Sequence, residues 1–147
     1  MISLPKDLRE FIGLLNSNEV RYLIVGGYAV AYHGYPRSTG DIDFLLQVSE
    51  ENASRVIEAL REFGFSSLGL RPADLLQEGI VIQLGYPPNR IDLLTGISGA
   101  TFDDAWEKRI EDEFDGLTLI FVDLETLRAN KAATGRPKDL ADLDALS

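Results

Sequence analysis

Asp41-Ile42-Asp43, at the head of an apolar run reaching Val48, constrains the fold more than any other segment. The run Asp41 to Val48 reads as a strand that enters a core through two acids. Strand residues two apart share a face, so Asp41 and Asp43 point the same way and Ile42 points into the opposite layer. Two like charges side by side on a half-buried sheet cost stability unless something neutralises them. A divalent cation is the natural neutraliser, and hard oxygen ligands select Mg²⁺ or Mn²⁺. The alternative is a solvated strand start. Phe44-Leu45-Leu46 weighs against it, because both carboxylates then sit at the mouth of a buried sheet.

The rest of the chain interleaves helix and strand signals. Leu8, Phe11, Ile12 and Leu15 recur at helical spacing after Pro5. Tyr22 to Val25 is a short buried strand ended by Gly26-Gly27, and Tyr28 to His33 is compatible with a helix. Ser49 is a plausible N-cap for a helix with Val56, Ile57, Leu60 and Phe63 on its apolar face, closed by Gly64. Pro72 to Gln77 reads as a short helix. Ile80 to Gly85 and Arg90 to Leu94 read as an antiparallel hairpin across Tyr86-Pro87-Pro88-Asn89. Phe102 to Arg109 looks helical, Leu117 to Val122 is a strand behind the turn Asp115-Gly116, and Asp123 caps a helix to about Ala133. Pro137 starts a last helix. The expectation is a mixed α/β (α+β) chain with a mixed sheet.

Asp92 is a lone charge within Ile91-Asp92-Leu93-Leu94. Such charges are almost never buried without a partner. If its strand lies beside that of Asp41 and Asp43, three carboxylates can hold two metal ions. The competing reading is a salt bridge to Arg90. Gly26-Gly27 lets a phosphate approach the backbone at a helix start. It is neither a dinucleotide fingerprint nor a P-loop, because G-x-G-x-x-G and G-K-[ST] are both absent. Arg37 is a candidate phosphate clamp or a partner of Asp41, and Thr39 beside it belongs to the same candidate nucleotide-contact set. His33 reads as a capping or packing residue sooner than a base. In the tail, Lys131, Arg136 and Lys138 either face a polyphosphate or are answered by Asp139 and Asp142, and both can hold at once.

Composition limits the function classes. A chain of 147 residues with 45% apolar and 26% charged residues is expected to form one domain, residues 1–147, with a real core. There is no cysteine, which removes disulfides and thiolate metal sites and fits a reducing, cytoplasmic setting. A single histidine, His33, argues against a histidine-built zinc site. No apolar run suits a membrane span, and the N-terminus lacks the apolar region of a signal peptide. Lys plus Arg is 14 and Asp plus Glu is 24, a net charge of −10. Extended DNA contact is therefore not expected, and any phosphate must be held by a local cluster of donors or by metal ions.

A strand, Gly26-Gly27 opening a helix, Asp41 and Asp43 on the next strand, and a third acid at Asp92 together resemble the nucleotidyltransferase superfamily, whose fold is shared with polymerase β. The pattern GGYAVAYHGYPRSTGDIDFLL is similar to AbiEii-type and related bacterial nucleotidyltransferases. The tail resembles their K…A…R-x-K-D-L-x-D segment, and the likeness runs from about Val20 to Leu146. It implies a mixed sheet flanked by helices, with further helices at the C-terminus. It also implies transfer of a nucleoside monophosphate from an NTP to an acceptor hydroxyl on RNA, protein or a small molecule, with Mg²⁺ or Mn²⁺. By the same resemblance Asp41 and Asp43 hold the metals, and Asp92 joins them and helps deprotonate the acceptor. Gly26 and Gly27 touch the triphosphate, and Lys131 contacts the nucleotide from the tail. A toxin–antitoxin component, with an antitoxin or other protein partner, is a subordinate version of this reading.

Two other readings compete with an enzyme. One is a non-catalytic nucleotide-binding or protein-interaction module on the same fold. The other is purely structural: the acids only bridge Arg37, Arg90 and the tail bases, Asp43→Ala lowers stability, and Mg²⁺ leaves the melting temperature unchanged.

Overall fold

The structure is a computed structural model that describes residues 4–34, 39–86 and 89–146. Helix α1 (Lys6–Ser17) buries Leu8, Phe11, Ile12 and Leu15, the stripe its spacing predicts. Strand β1 (Tyr22–Val25) follows and is buried along its whole length. Helix α2 (Gly26–Tyr32) begins on the glycine pair itself, two residues before the expected start. Strand β2 (Asp41–Leu46) leads to helix α3 (Glu50–Phe63), capped by the Ser49 side chain and closed by Gly64 in the left-handed conformation.

β2 stops two residues short of the expected Val48, and Asn52 supplies the reason. Its buried amide donates to the carbonyls of Gln47 (2.9 Å) and Arg21 (3.1 Å), and its Oδ1 accepts from the Arg21 amide at 2.8 Å. This side chain takes backbone groups that a longer ladder would use.

Two short 3₁₀ turns, Ser66–Leu68 and Pro72–Leu75, precede strands β3 (Val81–Leu84) and β4 (Arg90–Leu94). The helix expected over Pro72 to Gln77 is the second of these turns. β3 and β4 pair antiparallel, as the hairpin reading expects; Pro87 and Pro88 of its turn lie outside the described residues. Helix α4 (Phe102–Glu107) is followed by strands β5 (Ile110–Phe114) and β6 (Leu117–Phe121), an antiparallel pair. β5 is an addition to the sequence reading. The chain ends in helices α5 (Leu124–Thr134), capped by Asp123, and α6 (Pro137–Ala145).

The six strands form one mixed sheet in the order β3-β4-β2-β1-β6-β5. β1 runs antiparallel to β2 and parallel to β6, and β2 runs parallel to β4. Phe44, Tyr22 and Ile42 share one face. There Phe11 of α1 packs edge-on against Phe44 and against Phe63 of α3, and Tyr22 packs edge-on against Phe44. That face carries the main core, under α1 and α3. Val25, Asp43 and Asp92 lie on the other face, in one row across β1, β2 and β4. Helix α2 packs there against β1, β2 and α5, and the sheet beyond it forms the floor of a cavity. Among the described residues no helix is long and apolar enough to cross a membrane.

Candidate functional site

Strand register brings the acids together. Asp43 lies directly opposite Asp92 on the parallel neighbour β4, and Asp41 lies opposite Arg90. The result is a two-by-two patch on one face, Asp41 beside Arg90 and Asp43 beside Asp92. One carboxylate oxygen from each of Asp41, Asp43 and Asp92 lies within 4.8 Å of the others. Asp41 and Asp43 are half-buried at the mouth of the sheet, as the run from acids into Phe44-Leu45-Leu46 predicts, and Asp92 is buried beside them.

Gly26 closes the fourth side. β1 ends with Val25 opposite Asp43, and the next residue turns into α2 with φ +67°. A Cβ on Gly26 would stand 2.0 Å from Asp43 Oδ2. Glycine is required here twice, for the left-handed backbone and for room beside the carboxylate. Gly27 is buried in the first turn of α2, and both glycines line the cavity.

The three acids are not equivalent. Arg90 Nη2 donates to Asp41 Oδ2 at 2.8 Å and to Asp92 Oδ2 at 3.0 Å, while Nε donates to Asp92 Oδ1 at 2.9 Å. The Thr39 hydroxyl donates to Asp41 Oδ1 at 3.0 Å. Burial pushes the Asp41 carboxyl upward, but the hydrogen bond from Thr39 and the charge and hydrogen bond of Arg90 outweigh it and hold it below the usual range. Asp43 has neither Thr39 nor Arg90. Burial, then the charge of Asp41 and the proximity of Asp92, push its carboxyl up to about 7, with Lys131 pulling weakly the other way. Arg90 thus leaves the cluster with surplus negative charge. The donors are all hard carboxylate oxygens on one face, a set that fits Mg²⁺ or Mn²⁺.

The cavity over this patch has a volume of about 820 Å³. Its opposite wall is the α5–α6 hairpin, which contributes Lys131, Arg136 and Lys138. Lys131 Nζ is buried between Asp139 Oδ1 (3.3 Å) and Asp142 Oδ2 (3.1 Å). Arg136 grips Asp139 through Nε at 2.6 Å and Nη2 at 3.2 Å. Burial opposes ionisation of Asp139, but the hydrogen bonds from Arg136, Thr134 and Lys131 prevail and hold its carboxyl far below the usual range. Lys131, Arg136 and Lys138 all line the cavity, and Asp139 answers Lys131 and Arg136 while Asp142 answers Lys131.

The remaining candidates divide. Thr39 lines the cavity, with its hydroxyl engaged by Asp41. Arg37 lies outside the described residues. His33 caps α2 and donates from Nε2 to the Val122 carbonyl at 2.8 Å, a packing role away from the cavity lining. Arg90, singled out from sequence as the salt-bridge partner of Asp92 and as one of the bases in the structural reading, binds both Asp92 and Asp41. Gln83 and Glu78, which also line the cavity, were not singled out. Gln83 sits opposite Asp92 on edge strand β3, and only the hairpin register reveals that placement.

Comparison with known proteins agrees with this architecture. A crystal structure of an antigenic nucleotidyltransferase-like protein from Paracoccidioides brasiliensis is similar in fold, with a TM-score of 0.54 and 18% identity over 97% of this chain and 77% of that one. No protein of curated function matches the sequence. The family described as "Nucleotidyltransferase of unknown function (DUF6036)" matches residues 2–146. From Gly26 through the acid patch to the α5–α6 tail, the chain belongs to this nucleotidyltransferase family.

Proposed function

We propose that the protein transfers a nucleoside monophosphate from an NTP to an acceptor hydroxyl, with Mg²⁺ or Mn²⁺ held by Asp41, Asp43 and Asp92. The observation that carries this reading is the meeting of three carboxylate oxygens within 4.8 Å, across a cavity from Lys131 and Arg136. A bound divalent ion would supply charge neutralisation at the reacting phosphate and acidify the acceptor hydroxyl. The acceptor oxygen attacks the α-phosphorus, the bond to the bridging oxygen breaks, and pyrophosphate departs. Asp92 takes the acceptor proton. Gly26 and Gly27 leave room for the phosphate chain to approach the backbone, and Lys131, Arg136 and Lys138 attract its charge. The held geometry of Lys131, fixed by two aspartates, suits it to orient a phosphate without reorganising.

The acceptor class spans RNA, a protein hydroxyl or a small molecule, and a net charge of −10 weighs against long polyanions. A role as the toxin of a toxin–antitoxin pair rests on the AbiEii-type resemblance and predicts growth arrest on expression. One observation favours a second reading, a nucleotide-binding module without turnover: Arg90 already neutralises two of the three acids. Calorimetric titration with ATP and Mg²⁺, run beside a pyrophosphate-release assay, separates them. Binding with release supports the transferase; binding without release, for every NTP and with RNA, protein and metabolite extracts supplied, supports the module.

A further inference from the structure

We propose that Arg90 is a resident counter-cation of the acid patch, holding Asp41 and Asp92 together in the metal-free protein and competing with a divalent ion for their oxygens. The inference rests on the metal-site reading above and goes beyond it, because it assigns a residue that opposes occupancy.

Register makes the arrangement obligatory. Arg90 and Asp92 are two apart on β4 and share a face, and Arg90 is the direct cross-strand partner of Asp41. From that place the guanidinium reaches both acids and leaves Asp43 untouched. Its three hydrogen bonds, of 2.8, 2.9 and 3.0 Å, engage both oxygens of Asp92 and one of Asp41. The other Asp41 oxygen accepts from Thr39. A divalent ion drawing on one oxygen of each acid therefore meets either an oxygen already bonded to the guanidinium or one beside it. Two cations on the same carboxylates repel at short range, and the half-buried rim screens them less than open water does. A planar fork clamped on two carboxylates is also a stronger competitor than a lysine in the same place.

Nothing else among the described residues neutralises these two acids as closely: Lys131 and Arg136 are committed to Asp139, and Lys131 also to Asp142. Removing the guanidinium thus exposes the metal-free patch to its own repulsion while freeing its ligand atoms for an ion. Loss of the side chain has opposite effects on the two states, which an ordinary structural salt bridge would not produce.

The test uses Mn²⁺ alone as the probe, with free Mn²⁺ read by electron paramagnetic resonance in the wild type, Arg90→Ala and Arg90→Gln. Arg90→Gln removes the charge but keeps an amide donor on a shorter side chain, and serves if the alanine variant does not fold without metal. The expected result is a Kd for Mn²⁺ at least tenfold lower in the neutral variants, together with a lower melting temperature in chelator that Mn²⁺ restores. An unchanged or weaker Kd in a folded variant overturns the proposal while leaving the metal site standing. No Mn²⁺ binding in any of the three proteins overturns both the proposal and the metal-site reading.

Discussion

Asp43 carries a carboxyl pushed up to about 7 by burial and by the neighbouring acids, and this fixes the sign of one pH effect. The folded protein holds that proton more tightly than the unfolded chain does. Between the ordinary carboxylate range and about pH 7 the folded state binds more protons, so this group's contribution to stability falls as pH rises through that window. In chelator, Asp43→Asn is expected to remove that fall and to melt at a higher temperature than wild type at pH 8. A lower melting temperature would favour the purely structural reading. Because an ion displaces the proton, Mn²⁺ affinity should rise from pH 6 to pH 8. Gly26 gives the complementary case. Gly26→Ala combines a left-handed backbone with a Cβ placed 2.0 Å from Asp43 Oδ2. It is expected to cost roughly 1–3 kcal/mol in urea unfolding and to weaken Mn²⁺ binding. At this scale the acids were legible because D-x-D before an apolar run has few explanations. Arg90's second partner was not, since it depends on which strand pairs with β2.

Among the elements, α1, β1, α3, the β3–β4 hairpin and the last two helices follow their sequence signals closely, because caps, glycines and apolar spacing agree. β5 does not announce itself. Its centre is Glu111-Asp112-Glu113, and only Ile110 and Phe114 at its ends are half-buried. The usable signal was Asp115-Gly116, whose φ values of 50° and 80° suit a type I′ hairpin turn and so imply a strand on each side. The α5–α6 hairpin bears a second stability prediction. Lys131→Ala strips Asp139 and Asp142 of the cation they share and should cost on the order of 3 kcal/mol, read by urea unfolding. Ser49→Ala, which removes the hydroxyl accepting from the Asn52 amide at 3.1 Å, should cost about 1 kcal/mol by the same measurement, with no effect on Mn²⁺ affinity.

The molecule as a whole is an acidic protein that sets three of its 14 Lys and Arg residues along one wall of the cavity. Lys131, Arg136 and Lys138 face a floor of aspartates across about 820 Å³, a separation of charge suited to a phosphate chain lying between. Sequence motifs pointed to both walls, whereas their apposition required the sheet order and the return of α5 and α6 over it. The most direct test of the account is transfer of label from each α-labelled NTP, with Mg²⁺ and cellular RNA, protein and small-molecule fractions as acceptors, by wild type and Asp43→Asn. The account predicts transfer by wild type with at least one nucleotide and a loss of at least about a hundredfold in the variant. Equal transfer by both proteins, or none with any nucleotide and fraction, would contradict it.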